Sequence, residues 1–265
     1  MSTARIFGRP WYYLTLWAWG TTTLALGAVA WSAVALWRHL RPGVDVRRSV
    51  LGVAAVVAVL ATVAATVEFA DAHHPEERLS DAVGALAGPT YDAIVDGAGV
   101  ATGVDGRYIV RWSDAADIGS PGFGLLDELE RRGLDVAADE YFRVRVTGHR
   151  TRPRADNVAQ IHLATGAYID RWRALPDAVE VATYDPRTDA QKAQYAIVRE
   201  RFIERLTAEG LQERVPDVDF NLFGISTDVR LSAADQADLS TLIAIGQPMA
   251  VFIAPPPADD DAGAL

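Results

Sequence analysis

No cysteine occurs among the 265 residues. That excludes disulfides, thiolate nucleophiles, iron–sulfur clusters and cysteine-ligated zinc together. Lysine is nearly as scarce, with Lys192 standing alone, so arginine carries almost all of the positive charge. Positive charge is itself short, at 25 basic against 35 acidic side chains. The deficit is concentrated: residues 71–265 hold 19 basic and 33 acidic groups, a net of −14, whereas residues 1–70 hold six arginines and only two acids, Asp45 and Glu68. A region this acidic repels nucleic acid, because phosphate binding needs a concentrated positive surface.

Charge of either sign is missing from residues 11–37 and again from 50–67, with the second apolar stretch continuing to Ala70. A helix rising about 1.5 Å per residue needs roughly 20 residues to cross the hydrocarbon core, so both runs qualify as membrane spans. Trp11, Tyr12, Tyr13, Trp17 and Trp19 crowd one end of the first run, and Trp31 and Trp37 lie toward the other, as amphipathic rings do at membrane interfaces. A cleaved signal peptide is the rival reading, with Arg5 and Arg9 as its positive region and Ala28-Val29-Ala30 as its cleavage site. The apolar run continues past that site to Trp37, which disfavours it. Small residues recur four apart at Ala54, Ala58, Thr62 and Thr66, a spacing that lets helices approach closely in lipid. They fit packing within a two-helix hairpin, or contact with another membrane or envelope protein. Residues 1–70 are therefore expected to form a transmembrane hairpin, with helices at about 11–37 and 50–70.

Beyond it, Leu79, Ala82, Val83 and Leu86 follow helical spacing. Gly88-Pro89 is expected to break that helix, and a second short one is expected over 90–96. The glycine-rich stretch 97–106 reads as a linker, so 71–106 is a juxtamembrane segment and a compact domain is expected over 107–257. Within it, strands are predicted at 108–112, 134–137, 142–147, 158–164, 179–184 and 250–254. Helices are predicted at 122–132, at about 189–209 behind the capping-box pair Thr188 and Gln191, and at about 233–245 behind Ser232. Strands alternating with helices predict a layered α/β domain with a mainly parallel sheet. The strictly alternating FRVRVT, 142–147, is placed at a half-exposed edge. Residues 258–265 are expected to form a disordered acidic tail.

The run GRYIVRWSDAADIGSPGFGLLDELERRGLDV, with DPRTDAQ and VDFNLFG further on and RPWYYLTLWAW at the start, resembles the C-terminal region of uncharacterised membrane proteins from actinobacteria. The resemblance spans most of 10–255 and implies an extracytoplasmic domain. It carries no catalytic residues to transfer.

Three clusters could carry chemistry. Ser113, Asp114, Asp117, Gly119, Ser120, Gly122 and Gly124 lie between the first strand and its helix, where open α/β sheets bind ligands and helix N-termini attract anions. The run is neither a dinucleotide fingerprint nor a phosphate loop, and a structural turn capped by Ser120 is the plainer reading. Asp71, His73, His74, Glu76 and Glu77 mark the exit of the second apolar run. Adjacent histidines diverge by about 100° on a helix, so no metal site is assigned, and no cofactor is implied. Arg143, Arg145, Arg150, Arg152 and Arg154, joined by His149, form a basic strip in an acidic domain, suited to anionic headgroups or envelope polymers. Pairing with the domain's own carboxylates is the alternative. His162 is expected as a satisfied structural histidine, and Arg199, Glu200, Arg201, Glu204 and Arg205 as a solvated helix face.

These features point to a cell-membrane, multi-pass, membrane-anchored binding or accessory protein, partnered by the bilayer, with an extracytoplasmic α/β domain. The alternative is a membrane-anchored enzyme acting on envelope carbohydrate or lipid through Asp114 or Asp117. Four arginines lie in the connection 38–49, so the positive-inside bias sets that loop in the cytoplasm and the domain outside. Alkaline phosphatase fused after residue 265 is expected to be active, and a fluorescent, phosphatase-inactive green fluorescent protein pair would reverse the orientation.

Overall fold

The computed structural model describes residues 16–40, seven positions between 56 and 64, and 77–256. Most of the second apolar run, most of the connection 38–49, the Asp71–His74 cluster with Glu76, and the acidic tail lie outside the described residues. The chain divides into two compact units, 1–75 and 76–265. In the first, α1 (Leu16–Leu40) is one continuous helix of 25 residues, and the described positions between 56 and 64 are also helical. Among the described residues no helix is both long and apolar enough to cross a membrane.

The second unit opens with α2 (Glu77–Val95), so the compact fold begins some thirty residues before the expected boundary near Arg107. Gly88-Pro89 does not break the helix; Pro89 lies inside it. An interior proline removes one backbone hydrogen bond and strains a turn, but Pro89 and Ala85, whose carbonyl loses that bond, are both on the exposed face. On the opposite face Leu79, Ala82, Leu86, Ala87 and Ile94 are buried, and the Thr90 hydroxyl donates to the Leu86 carbonyl at 2.7 Å. Burial of that stripe holds the helix through its weak point.

Then follow β1 (Arg107–Ser113), α3 (Ser120–Arg131), β2 (Asp135–Asp139), the single-turn α4 (Arg143–Val146), β3 (Thr151–Arg152), β4 (Ala159–Thr165), α5 (Tyr168–Arg173) and β5 (Val179–Tyr184). A helical insert comes next, with α6 (Asp189–Ala208), α7 (Asp217–Phe220), α8 (Leu222–Ser226) and α9 (Ala233–Ile245), before the last strand β6 (Met249–Ala254). The capping boxes at Thr188 and Ser232 are formed as the residue types demand. Gly133, at φ 94°, ends α3 in the left-handed conformation that glycine adopts without steric cost.

The six strands form one sheet in the order β3-β2-β1-β4-β6-β5. β1 is parallel to β2 and β4, and β2 to β3. β6 runs antiparallel to both β4 and β5. The domain is thus α/β with a mixed, mostly parallel sheet. One sheet face, with Tyr108, Val110, Ile161, Leu163, Val251 and Ile253, packs under α2 and α3. The other face buries Ala164, Ala250 and Phe252 under Ile169 and Trp172 of α5. A separate cluster, including Phe202, Leu222 and Leu242, centres the helical insert.

FRVRVT is not a strand. The Asp139 carboxylate accepts the Tyr141 N–H at 3.1 Å, turning the chain as it leaves β2, and α4 follows. Phe142 and Val146 both point inward, and Val144 points out. An inward pair four apart satisfies a helix as well as a strand, so strict alternation was ambiguous here. The sheet edge is instead the two-residue β3.

A fragment spanning 77–257 is expected to be soluble and to melt cooperatively, whereas one beginning at Gly103 loses the α2 stripe and aggregates. In the longer fragment Leu86→Ala should lower unfolding stability by about 2–5 kcal/mol in chemical denaturation.

Candidate functional site

β1 and β4 are adjacent parallel strands from which the chain proceeds in opposite directions along the sheet, the position at which open α/β sheets form a ligand crevice beyond the strands' carboxyl ends. Ser113 ends β1, Thr165 ends β4, and the β1–α3 loop leads out between them. This brings the sequence-derived residues Ser113, Asp114, Asp117, Gly119, Ser120, Gly122 and Gly124 to the edge where they were expected.

Their bonds are internal. The Asp114 carboxylate accepts the backbone N–H groups of Ala116 at 3.0 Å, Asp117 at 3.1 Å and Gly119 at 2.7 Å. Thr165 Oγ1 bridges the loop to β4, accepting the Ala115 N–H at 3.2 Å and reaching Asp114 Oδ1 at 3.4 Å. Asp117 is buried and paired with Arg78 of α2 at 3.0 Å. Ser120 does not cap α3 with its side chain; its hydroxyl donates to the Asp117 carbonyl at 2.6 Å. Gly119 and Gly122 leave room for the Trp112 ring, which a Cβ at either position would overlap, and Gly124 meets Val83 of α2. The glycines thus serve close packing.

The helical insert covers this edge. The Phe223 N–H donates to the Ala115 carbonyl at 3.1 Å, and the Tyr168 hydroxyl donates to the Phe220 carbonyl at 3.1 Å. Ala116 belongs to the apolar cluster of the insert.

Beside the loop, Ser113 Oγ lies 2.9 Å from His162 Nε2, and the imidazole stacks on Trp172 with ring centres 3.8 Å apart. Both partners are buried, and His162 Nδ1 has no hydrogen-bond partner. Burial first, and then the Arg111 guanidinium, hold its pKa well below the ordinary histidine range, so the ring is neutral. His162 is therefore a core histidine only half satisfied.

The arginine strip separates into two groups. Arg150 pairs with Asp127 and Glu130, Arg152 with Asp135, and Arg154 with Asp139 at 2.7 Å. Arg143 and Arg145 are exposed on α4, and among the described residues neither has a carboxylate partner. His149 is exposed, with Nδ1 3.0 Å from Thr147 Oγ1. The expected helix face is solvated in part, with Glu200, Arg201 and Glu204 exposed, but its arginines are engaged. Arg199 clamps Asp219 at 2.7 Å and 2.5 Å, and Arg201 and Arg205 converge on Asp238 of α9. Among the described residues no group of three or more His, Asp or Glu side chains could hold a metal ion.

Sequence reasoning missed Arg78, the partner of Asp117, because the residue lay in a segment read as juxtamembrane. Its signal was present: Arg78 is the only cation in residues 71–106.

The neutral, buried His162 makes stability depend on pH in one direction. Below about pH 6.5 the unfolded chain takes up a proton that the folded chain refuses, so stability falls on acidification, by at most about 1.4 kcal/mol per pH unit for one group. The thermal midpoint of the 77–257 fragment should drop between pH 7.5 and 5, and His162→Gln should flatten that slope. Parallel slopes for the two proteins would remove His162 as the cause.

Comparison with protein families, with curated proteins and with solved structures finds no match.

Proposed function

We propose that the chain is a membrane-anchored accessory protein of the cell envelope whose α/β domain, outside the cytoplasm, binds an anionic partner and turns over no substrate. One observation carries this reading. The acids at the carboxyl edge of the sheet are engaged within the fold, Asp114 by three backbone N–H groups and Asp117 by Arg78, while Arg143 and Arg145 are presented outward. A catalyst needs an acid, base or nucleophile converging on an accessible reacting atom; a binding module needs an exposed complementary patch.

Anchoring draws support from the first unit. Leu24 is 75 % exposed and Trp31 78 %, with Val29, Leu36, Val56, Val57 and Leu60 also uncovered. Apolar side chains at such density require a cover, which a bilayer supplies. The enzyme reading, turnover of envelope carbohydrate or lipid through Asp114 or Asp117, is disfavoured because Asp114 is held by three backbone N–H groups and Asp117 by Arg78. It would also need Ser113 and His162 beside them. Burial of both, with no carboxylate on Nδ1, argues against it.

The chain should stay with the membrane pellet after alkaline washing, and its release into the supernatant would end the anchoring reading. Ser113→Ala, expected to cost about 1–3 kcal/mol by leaving His162 further unpaired, should still complement a deletion strain. Complete loss of complementation at normal protein level would favour the enzyme.

A further inference from the structure

The segment following β2 is fixed by its inward residues and shaped by its outward ones. Asp139 turns the chain at Tyr141. Phe142 packs on Trp112 with ring centres 4.4 Å apart and on Phe123 at 5.6 Å, and Val146 is buried. Between and beside these anchors Tyr141 is 83 % exposed and Val144 97 %, flanked by the exposed Arg143 and Arg145. Thr147 closes the segment at φ 70°, ψ 155°, a conformation that only glycine adopts freely, held here by the structure on either side. The outward group is thus a short, well-held projection carrying one aromatic ring, one aliphatic side chain and two cations, with the exposed Glu140 at its start.

We propose that this projection docks on a surface of anionic lipid headgroups, with Arg143 and Arg145 on phosphate oxygens and Tyr141 and Val144 among the headgroups. The inference rests on the anchored reading above and names the anionic partner of that domain. Tyrosine gathers at the membrane–water interface, and arginine can lay its stem along apolar matter while keeping its guanidinium on phosphate. Four side chains are too few for a stable protein interface, which uses roughly 20–30 residues a side. Charge selects the same face. The rest of residues 71–265 is strongly acidic and is repelled by anionic lipid, whereas α4 offers two outward cations that have no carboxylate partner among the described residues. Two arginines near such a surface give about a thirtyfold preference. That is weak for a free domain and sufficient to orient one already tethered nearby.

The absence of cysteine allows one label per molecule. An environment-sensitive thiol dye on Val144→Cys of the full chain is read in nanodiscs of phosphatidylcholine with and without phosphatidylglycerol. Val229→Cys, at a position 81 % exposed in the helical insert, is the control. With phosphatidylglycerol the label at 144 is expected to shift to the blue and to be quenched by headgroup spin labels. High salt should reverse this, and adding Arg143→Glu and Arg145→Glu should cut the anionic preference about thirtyfold or more. The label at 229 should do neither. A label at 144 as wet as the control, or one equally shielded in pure phosphatidylcholine, overturns the proposal. So does shielding found only in native membranes, which would assign the projection to a protein partner. Co-migration of the chain with the discs tests anchoring separately. Should the chain fail to incorporate, the same label mixed with phosphatidylglycerol vesicles still decides the headgroup contact.

Discussion

The ion pair between Arg78 and Asp117 joins the start of α2 to the β1–α3 loop. Its guanidinium reaches from the first turn of α2 to the β1–α3 loop at 3.0 Å, and it lies against Gly246, where α9 gives way to β6. Gly246, at φ 78°, has room for no side chain there without displacing the arginine. With Asp117 only 5 % exposed, the pair sits where desolvation offsets much of the Coulomb attraction, and where removing one partner costs about 3–5 kcal/mol. A sequence of contacts follows from it. Asp117 and Asp114 set the loop, the loop glycines admit Trp112, and Trp112 receives Phe142. The outward residues of α4 are therefore positioned by an interaction that begins at the N-terminus of the domain.

Arginine–aspartate pairs recur as the joints of the helical insert. Arg199 ties α6 to Asp219, Arg201 and Arg205 tie it to Asp238, and Arg214 and Arg230 share Asp228. Those two guanidiniums hold the Asp228 carboxyl far below the ordinary carboxylate range. The arginines are part-exposed while the Asp228 and Asp238 carboxylates are nearly buried, and the pairs link the elements that surround the insert's apolar cluster. The insert meets the carboxyl edge of the sheet through the Phe223–Ala115 and Tyr168–Phe220 hydrogen bonds and through Ala116.

Local signals were legible in the sequence wherever the chemistry was local. Thr188 with Gln191 and Ser232 with Asp235 start helices because both members of each pair are within three residues. Gly133 stops one for a similarly local reason. Pro89 misled because its cost is local while its compensation, burial of Leu79, Leu86 and Ile94, is tertiary. Positions 142–147 misled because inward residues at 142 and 146 fit two periods. In the candidate site, the position of residues 113–124 at the strand ends was readable from the βαβ pattern. Their internal use was not, because Arg78, Val83 and the insert arrive from distant sequence. The antiparallel insertion of β6 was equally hidden: strand neighbours are chosen by the whole sheet.

That last strand has a consequence for timing. β6 is both the C-terminal strand and a central one, with β4 on one side and β5 on the other. Until Met249–Ala254 is in place, β5 has no hydrogen-bonding neighbour and β4 has an open edge. Pairings so distant along the chain form slowly. A chain folding before that strand arrives therefore presents the edge of β4 as a free ladder, open to pairing with any other exposed strand, including the β6 of a second copy.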